Sequence, residues 1–515
     1  MTRVIICGAG SAGCVLAARL SQDENVSVLL LEAGPDYPTM EELPDDVRSA
    51  WVFGVTEHDW GYVSADHVAG SDHHPTFATP DPAVIHAYRG KVIGGSSSTN
   101  ASNALRPPRR DFDRWVALGN DQWSWNATLP VFQAMEDDHS RGARHGVGGP
   151  IPIRRFTGKQ LRPVFADFVE ACGAVGYDVV DDLNGTDTGG AGPLPLNQVA
   201  SVRQSSALCY LAGARSRPNL EIRASTMIDR VELVDGRARA VVLDTGERID
   251  GDLIILSAGA LSSPGILMRS GVGPSDLLER LGIKPVLQAE AVGQNLRDHA
   301  MVYMTWSLGA SVGDPAPPLQ AVLIFSSLGP GTDGEVDLHL VPFTPDANTL
   351  VAGLGLVRPY SVGRFEITSA DPNEPPRILF NVLDHPEDLQ RMVRGVRLAR
   401  ELIDVNPIAS YIETELWPGA DVSSDAELVQ AILGAKNTYA HATGTCSMGP
   451  AGAPWAVVDQ TGRVHGLDGL YVVDASIMPT IPSVPTNLTT IMIAERCAGE
   501  LRTQVSRTVS AGSFA

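Results

Sequence analysis

The chain has 515 residues, a net charge of −21 and a composition that is 43% hydrophobic and 19% charged. This length predicts two or three domains, or one large fold with an insertion, and the even spread of apolar residues excludes extensive disorder. The acidic balance disfavours binding to nucleic acid or to an anionic membrane surface, and the longest apolar runs fall far short of the roughly 18 residues that a membrane-spanning helix needs.

Residues 4–7 form a short apolar, β-branched run that predicts a buried parallel strand. The run leads into glycines in the spacing G-x-G-x-x-G, at Gly8, Gly10 and Gly13. The first glycine permits a tight turn, the second lets the backbone approach a pyrophosphate, and the third lets the next helix pack on the strand. The N-terminus of that helix then presents unpaired N–H groups to a diphosphate.

A second apolar run at residues 26–31 predicts another strand, and it ends at Glu32, nineteen residues after Gly13. A carboxylate at this place can accept hydrogen bonds from the ribose hydroxyls of a dinucleotide. Strand, glycine turn, helix, strand and acid together predict a dinucleotide-binding unit. Glu32 favours FAD or NAD over NADP, and the pattern does not separate FAD from NAD.

A second small-residue segment, residues 89–100, places two glycines before three serines. It could be a flexible linker, but the apolar residues on both sides favour a packed loop that approaches another group closely. Further along, residues 253–256 predict a buried strand that leads into a small-residue turn. Residues 389–402 have the apolar spacing of a helix.

Eight segments carry a further pattern, namely residues 59–62, 89–100, 123–125, 203–206, 259–273, 292–299, 441–449 and 474–489. Together and in this order they resemble the motifs of the glucose–methanol–choline (GMC) family of flavoprotein oxidoreductases. The resemblance covers almost the whole chain and is more specific than any single motif. It implies that the dinucleotide is FAD.

The resemblance implies an α/β fold, with a Rossmann-like FAD-binding domain plus an α+β substrate domain with an antiparallel sheet. The FAD-binding domain is expected to be discontinuous and to consist of residues 1–148, 188–298 and 439–505. The substrate-binding domain is expected to consist of residues 149–187 and 299–438, with residues 506–515 as a tail.

The resemblance also implies which residues bind FAD. They are Gly8, Gly10, Ser11, Ala12, Gly13, Glu32, Ala33, Lys91, Val92, Gly95, Ser96, Asn100, Ala101, Ile228, Ala258, Gly259, Asp474, Ala475, Asn487 and Thr489. Covalently flavinylated members of the family carry a histidine immediately before the asparagine of the first signature. This chain has Thr99 there, and its hydroxyl cannot form the histidyl link, so we predict non-covalent FAD.

His441 is the predicted catalytic base. An imidazole titrates near neutral pH, which suits the removal of a hydroxyl proton, and the small residues at 444–447 leave room for it to face a flavin ring. The alternative for any one of the 12 histidines is a structural role with satisfied hydrogen bonds. The resemblance of residues 441–449 to the family's catalytic histidine block favours catalysis here.

The second catalytic position departs from the family pattern. Many members carry a histidine or asparagine about 44 residues after the first histidine, where this chain has Pro485. Proline offers neither a donor nor a base, and a subset of the family that includes pyridoxine-oxidising members is similar in carrying it. Either His441 acts without a second side-chain donor, or polar groups of the substrate supply the contact; Pro485 could alternatively only shape its loop.

The other histidines and the tryptophans receive more general interpretations. His73 and His74 predict a loop near the entrance of the site, and we predict no metal centre because no set of ligands has the required spacing. His299, which follows Asp298 in a family block, is interpreted as structural rather than catalytic. Three tryptophans either line a cavity or simply pack, namely Trp51, Trp60 and Trp306.

The cysteines and the N-terminus bear on the compartment. The six cysteines contain no C-x-x-C pair, which excludes a zinc ribbon and a thioredoxin-type motif. Cys7 and Cys14 are expected to be small packing residues. The N-terminus shows no basic region followed by an apolar run and a cleavage site, so we predict a cytoplasmic, reducing location.

The leading hypothesis is an FAD-dependent oxidase or dehydrogenase that takes a small primary alcohol to the aldehyde. His441 removes the hydroxyl proton, a hydride passes to flavin, and dioxygen or another acceptor takes the electrons. Choline is disfavoured because residues 299–308 offer no carboxylate for its ammonium group, whereas an aromatic or heteroaromatic alcohol fits the proline variant better. The alternatives are a hydroxynitrile lyase on the same fold, a dehydrogenase that reoxidises a redox carrier cofactor, and an NAD dehydrogenase. The oligomeric state is left open.

Overall fold

The computed structural model describes residues 1–53, 57–66, 84–140, 142–332 and 335–512, with side chains up to residue 503. The chain starts in a sheet of five parallel strands. In spatial order these are Leu470–Val472, Leu253–Leu256, Thr2–Cys7, Val26–Leu31 and Leu220–Arg223. Ile5 and Ile6 in the central strand are fully buried. Because successive residues of a strand point to opposite faces, both faces of the sheet are covered.

The described residues contain ten α-helices. They are Ser11–Leu20, Asp45–Arg48, Arg109–Ala117, Trp125–Met135, Pro163–Ala174, Ser263–Arg269, Ser275–Arg280, Pro386–Ile403, Asp425–Ala435 and Asn487–Gly512. Short 3-10 turns lie at Gly95–Ser98, Asp121–Trp123, Gly158–Gln160, Leu183–Gly185, Ile408–Tyr411 and Ala475–Ile477, and a π-helical segment lies at Ala207–Leu211. The predicted helix at 389–402 and the predicted strands at 4–7, 26–31 and 253–256 are confirmed.

The glycine turn explains how the first strand and the first helix fit together. Gly8 has a φ of +103°, a conformation that L side chains rarely adopt. A Cβ on Gly13 would lie 1.9 Å from the carbonyl oxygen of Gly8, so the helix Ser11–Leu20 reaches its place only because residue 13 has no side chain. The same helix packs against the C-terminal helix, where Arg19 and Glu495 form an ion pair at 2.7 Å.

The second large sheet has seven strands whose pairings are all antiparallel. In spatial order six of them are Ile412–Trp417, Ala300–Leu308, Thr349–Leu356, Leu338–Asp346, Ala321–Phe325 and Gly190–Pro193, and the seventh, Asn437–Thr438, pairs with Ala300–Leu308. A parallel sheet beside an antiparallel one confirms the predicted mixed α/β fold.

Smaller sheets complete the fold. One has three strands, Arg248–Asp250, Arg237–Leu243 and Ile228–Val234. Four have two strands each: Val272–Gly273 with Leu287–Gln288, Arg364–Glu366 with Arg377–Leu379, Glu136–Asp138 with Ile151–Ile153, and Gln198–Val199 with Val202–Arg203.

The division into two domains stays a prediction. Gly190–Pro193 belongs to the antiparallel sheet although it falls within segment 188–298, which the sequence assigns to FAD binding. The backbone of the last helix runs to Gly512, into the segment 506–515 that the sequence assigns to a tail.

Other sequence predictions concern membranes and cysteines. None of the helices in the described part of the chain is both long enough and apolar enough to cross a bilayer. Cys7 and Cys14 are fully buried free thiols, which agrees with the packing role predicted for them.

A buried cluster of charged side chains surrounds His145, which is 2% exposed. Its Nε2 lies 2.7 Å from a carboxylate oxygen of Asp182, and its Nδ1 lies 3.2 Å from Asp138 and 3.7 Å from Glu136. These contacts, the one with Asp138 first, raise the pKa of His145 to about 11. The folded protein therefore holds His145 as the doubly protonated cation.

Three groups of this cluster lie within ligand distance of one another, namely Glu136, Asp138 and His145. Two guanidinium groups already neutralise the carboxylates. Arg106 contacts both oxygens of Glu136 at 2.6 and 2.7 Å, and Arg155 contacts both oxygens of Asp138 at 2.9 Å. These cations disfavour a further cation, so we interpret the cluster as a network of salt bridges rather than as a metal site.

We expect the free energy of unfolding to fall as the pH rises above neutrality. The pKa of His145 is raised in the folded state, so its stabilisation is complete below the ordinary histidine pKa of about 6.5 and is lost as the pH rises to about 11. One such group changes the free energy of unfolding by at most about 1.4 kcal/mol per pH unit in this window. Urea unfolding of the holoprotein between about pH 7 and pH 9 measures this slope.

A pair of variants isolates the contribution of His145. His145→Gln should unfold at a lower urea concentration near neutral pH and show a flatter pH dependence. His139→Gln is the matched control, because His139 is 67% exposed beside Asp137, and it should leave both quantities unchanged. An undiminished pH slope in His145→Gln would show that another group is responsible.

Candidate active site

One cavity of about 560 Å³ is lined by loop residues that follow strands of the parallel sheet, by strand residues of the antiparallel sheet and by other loops. The predicted site residues on its wall are Gly8, Gly10, Ser11, Ala12, Glu32, Ala33, Lys91, Gly95, Ser96, Asn100, Ala101, Ile228, Ala258, Gly259, His441, Asp474, Ala475, Pro485 and Asn487. Residues that lie far apart in the sequence thus meet around one space.

Three predicted FAD-binding residues do not reach the cavity wall. Gly13 packs against the carbonyl of Gly8, so its role is to bring the helix close to the strand. Val92 is 1% exposed and lies in the core behind the loop. Thr489 is fully buried, and its neighbour Thr490 lines the cavity instead.

The serine-rich segment predicted as a packed loop lies directly on the glycine turn. A Cβ on Gly95 would come within 2.7 Å of the Cα of Gly10. A Cβ on Gly10 would meet nothing nearer than 3.9 Å, and the φ of this residue is −76°, so the fold itself does not require glycine there. The free space beside Gly10 belongs to the cavity.

Glu32 is held rigidly at the end of its strand. One carboxylate oxygen accepts the N–H of Ala9 and the other accepts the N–H of Gly34, both at 2.9 Å. Burial raises the pKa of Glu32 to about 7, although the backbone donors and Lys91 act in the opposite direction. The remaining lone pairs of the carboxylate can accept hydrogen bonds from hydroxyl groups in the cavity.

Asp474 joins two turns that follow the neighbouring strands Leu253–Leu256 and Leu470–Val472. Its Oδ2 accepts the N–H of Gly259 at 2.8 Å and the hydroxyl of Ser263 at 2.6 Å, and its Oδ1 accepts the N–H of Ser476 at 2.8 Å. Both turns contribute wall residues, so Asp474 holds that part of the wall in place.

The antiparallel sheet positions His441 through the backbone. Residues 437 and 438 pair with residues 301 and 300, and the N–H of Tyr439 donates to the carbonyl of His299 at 2.9 Å. Two residues later, the N–H of His441 donates to Oδ1 of Asp298 at 2.8 Å. The imidazole therefore lies beside the first residues of a long strand.

Arg89 supports this segment from the opposite side. Its Nη1 donates to the carbonyl of Ala440 at 2.8 Å, and its Nη2 lies 3.8 Å from Oδ2 of Asp298. Ala440 has a φ of +61°, an unusual conformation for a residue with a side chain, at the position directly before His441. Burial raises the pKa of Asp298 to about 7, and the charge of Arg89 limits this rise.

The His441 ring lies between two other side chains. Its Nδ1 is 3.0 Å from Nδ1 of His299, and the Tyr439 ring stacks on it with 4.5 Å between the centroids. Burial first, then the nearby His299 and Arg89, hold the pKa of His441 well below the ordinary histidine value. At neutral pH the ring is therefore uncharged and able to accept a proton.

The cavity next to His441 is an aromatic chamber, which we define by Tyr88, Tyr303, Phe343 and Tyr439. Strand Thr349–Leu356 makes room for it, because a Cβ on Gly355 would lie 2.9 Å from the Tyr439 ring. The described carboxylates on the whole cavity wall are Glu32, Glu374 and Asp474, and none of them lies in the antiparallel sheet.

The tryptophans behave differently from one another. Trp60 lines the cavity, with Nζ of Lys91 4.7 Å from its ring centroid, whereas Trp306 is buried within the sheet and Trp51 packs against Phe156. His73 and His74 lie outside the residues that the structure describes, so their predicted loop is not addressed by it.

Comparison with known proteins agrees with this geometry. Two family models, each described as GMC oxidoreductase, match residues 2–301 and 359–494. The chain belongs to the GMC oxidoreductase family. One relative is a GMC-type oxidoreductase of uncharacterised activity from Rhodococcus erythropolis, which is 35% identical over 96% of this chain and 97% of its own length.

Two further similar proteins carry activities in their names. The oxygen-dependent choline dehydrogenase of Ectopseudomonas mendocina is 36% identical over 97% of this chain and 93% of its own length. The crystal structure of pyridoxine 4-oxidase from Mesorbium loti superposes with a TM-score of 0.88 at 30% identity, covering 97% of this chain and 99% of that one.

The protein is an FAD-dependent oxidoreductase, as its family membership shows. The residues on the cavity wall fit this GMC cofactor. Glu32 can take ribose hydroxyls, and the helix that follows Gly10 can face a diphosphate. The amide of Asn487 is an independent sign, because this residue lines the cavity, its Oδ1 accepts the hydroxyl of Ser11 at 2.8 Å, and its buried Nδ2 has no hydrogen-bond partner.

Several residues of the GMC site make contacts that the sequence does not indicate. The sequence points to no role for Tyr303 and Tyr439, and it indicates only a structural role for His299. The block that contains Asp298 and His299 was a signal for the contact with His441, since both residues lie in a motif. The contact with His441 forms only because two strands that are distant in the sequence pair with each other.

We expect Gly10→Ala to fold like the wild type but to retain less FAD. The added methyl group meets no protein atom within 3.9 Å and enters the space in which a pyrophosphate is expected. Gly213→Ala is the matched control, because its Cβ also meets nothing within 4 Å and it lies off the cavity wall. The ratio of flavin to protein absorbance after purification, with circular dichroism to check the fold, measures the effect. Equal flavin content in both variants contradicts it.

We expect the flavin to be non-covalent, since Thr99 stands on the cavity wall where a histidyl link would need histidine. Denaturing the yellow holoprotein in acid should release all of the flavin into the supernatant. Absorbance spectra of the supernatant and of the washed pellet measure this release. Yellow colour that stays with the washed pellet would refute it.

Proposed function

We propose that the protein oxidises a primary alcohol with an aromatic or heteroaromatic ring to the aldehyde, with Nε2 of His441 as the base for the hydroxyl proton. One observation carries the proposal: an uncharged His441 lies on the wall of a single cavity that also includes the FAD-binding residues and the aromatic chamber. The supporting steps concern the proton, the electrons and the substrate in turn.

The proton step depends on a rigidly held base. The backbone of His441 is tied to Asp298, its Nδ1 is engaged by His299, and its ring is stacked on Tyr439. Its Nε2, on the other edge of the ring, is left for the substrate. The substrate O–H bond breaks as the Nε2–H bond forms, and the resulting imidazolium stays hydrogen-bonded through Nδ1.

Bound FAD supplies the acceptor for the hydride that leaves the alcohol carbon. The chain contributes position and exclusion of water. The chamber is walled by buried strands of the antiparallel sheet, and its apolar surface keeps bulk water from the base. Pro485 is on the same wall and its side chain offers no base, which supports His441 as the group that accepts the hydroxyl proton.

The lining supports a ring-bearing substrate. Phe343 and the tyrosines of the aromatic chamber offer flat, largely apolar surfaces for stacking. The solved neighbour named for pyridoxine, a heteroaromatic alcohol, points the same way. The relatives named for choline make that alcohol the second candidate, because tyrosine rings can also hold a quaternary ammonium group. Against choline, no carboxylate of the described cavity wall lies in the antiparallel sheet.

We expect an anaerobic panel of alcohols to distinguish these substrates. Aromatic and heteroaromatic primary alcohols should bleach the flavin absorbance fastest, ahead of choline and of short aliphatic alcohols. His441→Ala should slow the bleaching by about 10²–10⁴-fold, the usual contribution of a general base. Stopped-flow absorbance measures the rate constant, and His139→Ala, at an exposed position off the cavity wall, serves as the control.

Three outcomes would overturn all or part of the proposal. If the flavin of His441→Ala is reduced as fast as that of the wild type, His441 is not the catalytic base. An enzyme whose flavin is bleached by none of these alcohols would favour the lyase or the carrier-linked alternative. Faster bleaching by choline than by any ring-bearing alcohol would show that the proposed substrate class is wrong, while the assignment of His441 as the base would stand.

A further inference from the structure

His299 is buried behind His441 and does not line the cavity. Its two ring nitrogens face different partners: Nε2 lies 3.0 Å from the carbonyl oxygen of Pro482, and Nδ1 lies 3.0 Å from Nδ1 of His441. The two imidazole planes meet at 85°, edge to face. The ring thus connects the loop before Pro485 to the base.

The contact with Pro482 decides where the proton of His299 lies. A carbonyl oxygen can only accept a hydrogen bond, so the nitrogen that faces it must be the donor. The proton of a neutral His299 is therefore on Nε2, and its Nδ1 carries a lone pair.

His299 is neutral because it is buried. Burial first, and then the neighbouring His339, lower its pKa to about 3, although the carbonyl groups of Pro482 and Val357 act in the opposite direction.

The lone pair on Nδ1 of His299 then decides the tautomer of His441. Two lone pairs facing each other at 3.0 Å would repel, so Nδ1 of His441 must carry the proton and donate it. A neutral imidazole with its proton on Nδ1 has its lone pair on Nε2. This is the nitrogen left for the cavity.

We propose that His299 is a positioning residue that keeps His441 in the tautomer with an unprotonated Nε2, through a chain of hydrogen bonds that begins at the carbonyl of Pro482. The inference rests on the proposed function for its catalytic consequence, while the tautomer itself is a property of the resting protein. The substrate proton moves to Nε2, the substrate oxygen keeps the bonding electrons, and the Nδ1–H bond of His441 stays intact throughout.

The loop that carries Pro485 has no second catalytic side chain, but it provides the carbonyl group at which this series of hydrogen bonds begins. Pro485 offers no donor to the cavity, but three residues earlier Pro482 offers its carbonyl to His299. Ser483 fixes the loop, because its N–H and its hydroxyl donate to Oδ2 of Asp111 at 2.7 and 2.8 Å. The tautomer of His441 is therefore determined by His299 and the Pro482 carbonyl, on the side of the ring away from the cavity.

The surroundings of the pair contain few groups that could reverse this tautomer. The titratable and charged groups that face His441 or His299 are Arg89, Asp298, His339 and Tyr439. Asp298 binds the backbone of His441 and not its ring, and Arg89 is a cation that disfavours a second proton on the ring.

Two variants of His299 test the proposal. His299→Leu removes the acceptor, and we expect flavin reduction by the best alcohol of the panel to slow by about 10-fold, roughly the value of one hydrogen bond. His299→Asn offers an amide oxygen close to the place of Nδ1 and should recover most of the rate. Because the acceptor acts on the proton step, the loss should fall on the limiting rate of reduction and not on the alcohol concentration at half-saturation.

Nitrogen NMR of the oxidised holoprotein, labelled with ¹⁵N-histidine, reports the tautomer without any turnover. The signals of His441 are assigned by their loss in His441→Gln. We expect a protonated Nδ1 and an unprotonated Nε2 in the wild type and in His299→Asn, and a shift towards protonated Nε2 in His299→Leu.

A wild-type His441 with its proton on Nε2 overturns the inference, and so does a His299→Leu variant whose tautomer and rate are unchanged. If His299→Leu fails to fold, the wild-type spectrum and His299→Asn still decide the matter. Failure of the proposed function looks different, because His441→Ala would then be reduced normally whatever tautomer the spectrum shows.

Discussion

The antiparallel pairing of residues 437–439 with residues 299–301 is the contact on which the site depends. It places His441 beside His299 and Asp298, although His441 and Asp298 are 143 residues apart in the sequence. Because the pairing fixes which residues lie opposite each other, a register slip of one residue would separate the loop of His441 from Asp298 and His299. The large antiparallel sheet therefore determines the position of the base, and the loop that carries His441 only follows it.

Burial is the second constraint, and it acts on every titratable group near the base. Removal from water lowers the pKa values of His441 and His299 and raises that of Asp298, because it disfavours the charged form of each. Arg89 is the compensating charge, close to Asp298 and bound to the backbone before His441. A pair of histidines held neutral in this setting keeps one lone pair free, and its hydrogen bonds place that lone pair on Nε2 of His441.

The cavity combines two chemically different halves. The half formed by the parallel sheet presents backbone N–H groups, the carboxylate of Glu32 and the amide of Asn487, which suit a polar dinucleotide. The half formed by the antiparallel sheet presents aromatic rings, which suit an apolar substrate. A glycine leaves space in each half. A side chain at Gly10 would enter the cavity, and a side chain at Gly355 would collide with the Tyr439 ring.

The sequence by itself determined the cofactor unit, since the glycine spacing, the strand ends and Glu32 act over short stretches of chain in which local geometry decides the outcome. The ordered motifs likewise indicated the family, FAD and the candidate base His441. Only the tertiary structure decided that Val92 and Thr489 are buried off the cavity wall, that the Tyr439 ring stacks on the base and that His299 contacts it. These features depend on which distant strands pair, on the register of the pairing and on how deeply each ring is buried. A local sequence pattern does not encode the pairing or the burial.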